Sequence, residues 1–188
     1  MALQTTQPDQ DRVALAAAER LGRTLAERVQ WPLPSGIEIW AYPNLEAFRN
    51  ITGEPGWVAA HTEGRRIHIQ PVALLRSRDA LDPTLSHELL HVLVESQAEK
   101  GLPVWFREGL VGFLEGRRTT ANARVPAEAE LRQTADAATT RRAYASAAAM
   151  VSNLVETYGE ATVLSWVRGG LPPEVTKART SQEPAKSK

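Results

Sequence analysis

Cysteine is absent from the 188 residues, which removes disulfides, thiolate nucleophiles and cysteine-ligated metal sites together, while leaving the redox compartment open. An excess of charge is missing as well. Lys plus Arg and Asp plus Glu number 22 each, so no net field draws nucleic acid or an anionic membrane surface. The pairs Arg65-Arg66, Arg117-Arg118 and Arg141-Arg142 read as local solvated surface. No apolar run approaches the roughly 18 residues of a membrane span, and the first residues lack a basic start followed by an apolar stretch. Neither a span nor an export signal is therefore expected in this stretch of chain. Internal repeats and heptads are lacking too. The length suits one domain, placed here at residues 1–175. From Thr176 to Lys188 there is no large apolar residue, and a disordered tail is expected.

What is present alternates helical and strand signals. Between Asp9 and Gln30, Val13, Ala17, Leu21, Leu25 and Val29 recur at helical spacing among charges, predicting an amphipathic helix that Pro32 and Pro34 close off. Ile37, Ile39 and Ala41 share one face of a predicted strand, and Asn44 is placed to cap a short helix through Arg49. Trp57 to His61 and Arg66 to Gln70 are β-prone runs joined through Thr62, Glu63 and Gly64, so a hairpin is expected. Asp82-Pro83 is a helix start, with the helix running to about Ala98. Gly101 and Pro103 interrupt, and a second helix is predicted from Val104 to Gly116. Residues 117–125 read as a loop, and Pro126 opens a short polar helix. Helices from Thr139 to Tyr158 and from Glu160 to Arg168 follow, with Gly159 between them.

The chemistry concentrates in His87-Glu88-Leu89-Leu90-His91. Two histidines four apart on a helix lie about 40° apart around its axis and roughly one turn along it, so both imidazoles can meet one tetrahedral Zn²⁺. Glu88, about 100° around from His87, falls beside such a metal, where a carboxylate can take a proton from activated water. Leu85, Leu89, Leu90, Leu93 and Val94 give this helix an apolar surround. The plain alternative is a pair of core histidines. A catalytic zinc needs a third protein ligand and one open position. Trp105-Phe106-Arg107-Glu108-Gly109-Leu110 offers Glu108 on the next helix, among apolar neighbours where a carboxylate is costly unless a cation receives it. The alternative is a surface glutamate paired with Arg107 or Arg141.

These two motifs together resemble the gluzincin metallopeptidases, and most closely the small bacterial peptidase-MA-like proteins related to aminopeptidase N. The resemblance extends from about Ile37 to Leu171. It implies an α+β, zincin-like fold: a small twisted sheet on the helix bearing His87 and His91, with a helical C-terminal half contributing Glu108. It also implies zinc held by His87, His91 and Glu108, with Glu88 as general base. Tyr144, in Ala143-Tyr144-Ala145-Ser146-Ala147, matches a tyrosine that donates a hydrogen bond to the tetrahedral intermediate in those families; ordinary packing is its alternative. Glu115 matches a further acidic residue of aminopeptidase N relatives, and Glu95 competes with it for the role of bonding a ligand histidine. The segment between His91 and Glu108 is shorter than in the large aminopeptidases.

The hairpin from Trp57 to Gln70 resembles the sheet edge along which gluzincins lay an extended peptide. His61 and His68 on it read as surface histidines, since the motif already supplies enough ligands. No Gly-x-Met-Glu-Asn segment, which captures a free amino terminus in aminopeptidases, is found. The expected function is zinc-dependent hydrolysis of internal peptide bonds in a peptide or protein substrate. Two rivals stand beside it: a zinc-stabilised binding or scaffold domain with little turnover, and a hydrolase of a non-peptide amide or ester.

Overall fold

The computed structural model describes residues 1–117, 124–132 and 136–180. The chain divides into two compact units, Met1–Ser96 and Gln97–Lys188.

The first unit is a four-stranded sheet with its main core on one face. Its strands are β1 (Ala2–Gln4), β2 (Glu38–Ala41), β3 (Ala60–Glu63) and β4 (Arg66–Ile69), in the order β1-β2-β4-β3. β1 and β4 run parallel to β2, whereas β3 runs antiparallel to β4. Because successive side chains point to opposite faces, Ile39, Ala41, Ala60, Ile67 and Ile69 fall on one face and enter the core. There they meet α1 (Pro8–Val29) and α4 (Leu81–Gln97), the latter through Leu85, Leu89 and Val92. Each buried leucine of this kind contributes about 1.5–3 kcal/mol of apolar transfer.

Several details depart from the sequence expectations. The inner stripe of α1 is Ala14, Ala17, Ala18 and Val29, with Val13 left exposed. Strand β3 starts at Ala60 rather than Trp57, and Thr62 and Glu63 belong to it, not to the turn. The turn is Gly64-Arg65, with Gly64 at φ +62°, the left-handed backbone that a two-residue hairpin connection demands. The short helix α2 (Leu45–Thr52) is capped as expected by Asn44, which accepts from the Ala47 N–H at 2.8 Å, and it runs three residues past Arg49. Between β4 and α4 stands an unanticipated short helix, α3 (Val72–Ser77). Asp82 lies inside the first turn of α4 rather than capping it, and its carboxylate is engaged by Arg20 at 2.5 Å.

Within the second unit, α5 (Val104–Leu114) and α7 (Ala137–Tyr158) form the principal contact. Gly109 sets their approach: a Cβ there would stand 2.4 Å from the Ala147 carbonyl oxygen. The end of α5 is closed by Gly116 at φ +80°, with the Arg117 N–H returning to the Gly112 carbonyl. The shorter helices are α6 (Glu128–Arg132), α8 (Glu160–Gly169) and α9 (Pro173–Thr180). Asp136 starts α7 by accepting from the Ala138 N–H at 3.0 Å, a cap that the sequence expectation missed by beginning this helix at Thr139. The chain stays helical through Thr180, past the expected start of a tail at Thr176. A proline at the first helical position starts α9 without losing a hydrogen bond. The rest of that expected tail, 181–188, lies outside the described residues, as do 118–123 of the expected loop. The class is α+β, with a small mixed sheet. Among the described residues, no helix is long and apolar enough to cross a membrane.

Candidate functional site

Helix α4 carries the first motif in its middle, where backbone hydrogen bonds and buried leucines on several sides hold it in place. The pitch of the helix brings His87 and His91 onto one side. Their Nε2 atoms stand 3.1 Å apart, and the rings meet nearly edge to face, 4.6 Å between centroids at 83°. Two imidazoles bound to one tetrahedral zinc, at Zn–N distances of about 2.0–2.1 Å, place their nitrogens about 3.3 Å apart. The observed separation is close to that spacing. It equally fits an N–H···N hydrogen bond in which one ring is donor and the other acceptor.

Glu88 is buried at 7% exposure. Its Oε2 accepts a hydrogen bond from the Thr62 hydroxyl at 2.6 Å, so a residue of strand β3 fixes the carboxylate. Thr62 was not singled out from the sequence, where it was placed in the turn. The signal that identifies it is strand alternation: Thr62 pairs with Ile67 and shares the inward face with Ala60. Because β3 is the last strand in the sheet order, its outer edge is a place where an extended chain can add.

Glu108, Glu115 and Tyr144 stand in the second unit. Glu108 lies half-buried on α5, with its Oε2 removed from solvent. Gly109 beside it is the point of closest approach to α7. Tyr144, half-buried on α7, has its hydroxyl 3.5 Å from the Leu131 carbonyl, too long for a strong bond. Glu115 sits at the end of α5 with Oε2 2.9 Å from Arg117 Nε, and Glu95 is exposed. The structure thus pairs the His87 and His91 rings and joins Glu88 to Thr62. Among the described residues, no group of three or more His, Asp or Glu side chains is gathered so as to hold a metal ion.

His61 and His68 part company. His61 is partly exposed and pairs with Glu54 at 3.0 Å. His68 is not a surface histidine: on the face opposite Ile67 and Ile69, its ring is packed under Tyr42 and is buried at 8% exposure. The Tyr42 hydroxyl lies 2.8 Å from His68 Nδ1. Burial raises the Tyr42 pKa. The His68 pKa is lowered, first by burial and then by His61, with Glu63 opposing.

Compared with protein-family models, with curated proteins and with solved structures, the chain finds no match.

Proposed function

We propose that the chain is a zinc-dependent peptidase of the gluzincin kind, with a zincin-like arrangement of edge strand and active-site helix. The observation that carries this reading is the convergence of the His87 and His91 Nε2 atoms, 3.1 Å apart, on the helix that also bears a buried carboxylate anchored by Thr62. A core histidine pair needs no neighbouring carboxylate held in one orientation by an edge strand; a hydrolytic site does.

His87 and His91 would hold the metal, and the motif resemblance assigns the third ligand to Glu108. When bound, zinc polarises a carbonyl and makes water nucleophilic near neutral pH. Glu88 takes the proton of the attacking water and delivers it to the leaving amine nitrogen. Thr62 keeps that carboxylate aimed by donating to Oε2, leaving the other oxygen to accept the proton. The peptide lies along β3, bound through its main chain. Tyr144 is assigned, again by resemblance, to donate a hydrogen bond to the developing oxyanion.

Protein purified without chelator should contain about one zinc per chain. It should cleave members of a mixed peptide library, and Glu88→Gln should keep the metal while losing about 100-fold to 10,000-fold in rate. A preparation that refuses added zinc would sink the proposal. Zinc binding with cleavage of esters or small amides alone would assign a non-peptide hydrolase, and zinc binding with no turnover a scaffold domain.

A further inference from the structure

The sheet face turned away from the core is not bare. A cleft of about 460 Å³ lies over it, walled by Trp40 and Tyr42, by His61 and Glu63 of β3, and by Arg66 and His68 of β4. The last turn of α2 closes one end with Ile51 and Thr52. That volume is in the range of pockets that enclose a side chain or a small ligand. It is separate from the His87–Glu88–His91 group, since Thr62, which touches Glu88, points to the opposite face of β3 from His61 and Glu63.

The electrostatics of the cleft favour a cation. Its guanidinium, Arg66, is already taken by Glu38, with Nε–Oε2 at 3.4 Å, and lies 5.9 Å above the Trp40 ring. Glu38 also accepts from the Trp40 indole N–H at 3.0 Å, which fixes that ring as a wall. Glu63 is exposed and makes no ion pair with any described residue, and Glu54 adds a carboxylate behind His61. The carboxylate that lines the cleft is Glu63, whose partner across the ladder, Arg66, is held by Glu38. Aromatic faces beside an uncompensated carboxylate suit a basic side chain, through cation–π attraction and charge.

We propose that this cleft is a subsite for an arginine or lysine side chain of a peptide added to the outer edge of β3. The assignment rests on the peptidase reading for the identity of the peptide. In an added strand, alternate side chains go to opposite faces. Those on the Thr62 face run toward α4, and those on the other face rise beside His61 and Glu63. A long basic side chain there lies over β3, one strand spacing of about 4.8 Å away, beside His61 and Glu63. The substrate class is therefore peptides carrying a basic residue flanked on both sides by residues directed to the α4 face.

Two measurements on the full chain test this. First, Nα-acetyl-arginine methylamide is titrated while the ring signals of His61 and His68 and the indole signal of Trp40 are followed by NMR. Saturable shifts at these rings, abolished by Glu63→Lys, are expected; no shift in the millimolar range overturns the subsite. Second, doubly blocked peptides differing only in arginine, norleucine or glutamate at one position are compared for binding to the Glu88→Gln protein and for cleavage by the parent. The arginine peptide should be favoured about tenfold over norleucine, as a partly desolvated cation–π contact allows. Glu63→Lys should erase that preference while leaving the norleucine peptide unchanged. Cleavage without preference for the basic peptide overturns the subsite and leaves the peptidase reading intact. Ring shifts with acetyl-arginine but no cleavage of any peptide do the reverse.

Discussion

Thr62 and Glu88, 26 residues apart, are joined by a hydrogen bond of 2.6 Å between the threonine hydroxyl and the buried carboxylate. The bond ties the edge strand to the middle of α4, so the strand proposed to hold the substrate also aims the proposed base. A hydrogen bond to an ionised group contributes about 1.5–3 kcal/mol. Thr62→Val should keep the shape of the strand and lower turnover about tenfold to 100-fold, with zinc content unchanged. Thr62→Ser should restore most of the rate. If valine leaves the rate at the parent level, Thr62 has no part in orienting the base.

The 3.1 Å pairing of His87 and His91 predicts how metal is lost. Removing a group that merely supports a ligand costs about 10-fold to 100-fold in metal affinity, so removing a ligand should cost at least that. His91→Ala and His87→Ala should each come off the column without stoichiometric zinc, and Glu108→Ala should bind it more weakly than the parent. Elemental analysis and competition with a chromogenic chelator measure both. Parent-like zinc affinity in His91→Ala would show that the two rings form only a hydrogen-bonded pair.

Gly109 carries a prediction about packing rather than chemistry. In an exposed helix interior, glycine to alanine gains about 1 kcal/mol. Here the added Cβ would stand 2.4 Å from a backbone oxygen of Ala147, which cannot swing aside as a side chain end can. Overpacking of this kind costs about 1–3 kcal/mol. Gly109→Ala should lower the melting temperature by several degrees. Gly112→Ala, whose new Cβ would meet the Ala148 Cβ at 3.0 Å, should do so by less. Equal melting temperatures for the parent and Gly109→Ala would contradict the close approach of α5 and α7.

His68 predicts a pH dependence. Burial, then His61, lowers its folded pKa below that of the unfolded chain. The unfolded state therefore binds more protons between the two values, and its ordinary pKa is about 6.5. The stability that neutral His68 contributes is complete above about pH 6.5 and is lost as the pH falls through the lower, folded value. Thermal melts at pH 7.5 and 5.5 should show the parent losing more than His68→Gln over this window. An equal loss in both would place the titrating group elsewhere.

Much of the fold was legible because helix and strand periods are local. Asn44 capped its helix, α5 ended at its glycine, and α4 fell within a residue or two of its expected ends. What escaped was register. Extension of β3 past the expected end at His61 to Glu63 turned Thr62 from a turn residue into the partner of Glu88. His61 and His68 share one face as partners across the ladder, and His68 is buried because its inner strand lies under Tyr42 and Trp40, while His61 on the edge strand stays partly exposed. Strand faces depend on pairing between distant segments, and a one-residue slip exchanges them. The i, i+4 histidine pair needed only helical pitch, which is why its convergence was readable from spacing. The role of Gly109 depends on the Ala147 carbonyl of another helix, and no local pattern announces such a contact.

The position of β3 at the end of the sheet leads to the last prediction, which concerns where a peptide is cut. An edge strand holds an added peptide mainly through main-chain hydrogen bonds, which are indifferent to side chains and to the distance from either terminus. Restricting cleavage to the first bond requires groups that recognise a free amine, and no Gly-x-Met-Glu-Asn segment is present to supply them. A peptide with an acetylated amino terminus should therefore be cut at internal bonds about as fast as its free counterpart. Mass spectrometry of the products over time distinguishes the two modes. Internal fragments from both peptides support binding along the strand. Stepwise loss of single residues from the free peptide alone would mean that other groups capture the amine, and that substrates bind by their ends rather than along β3.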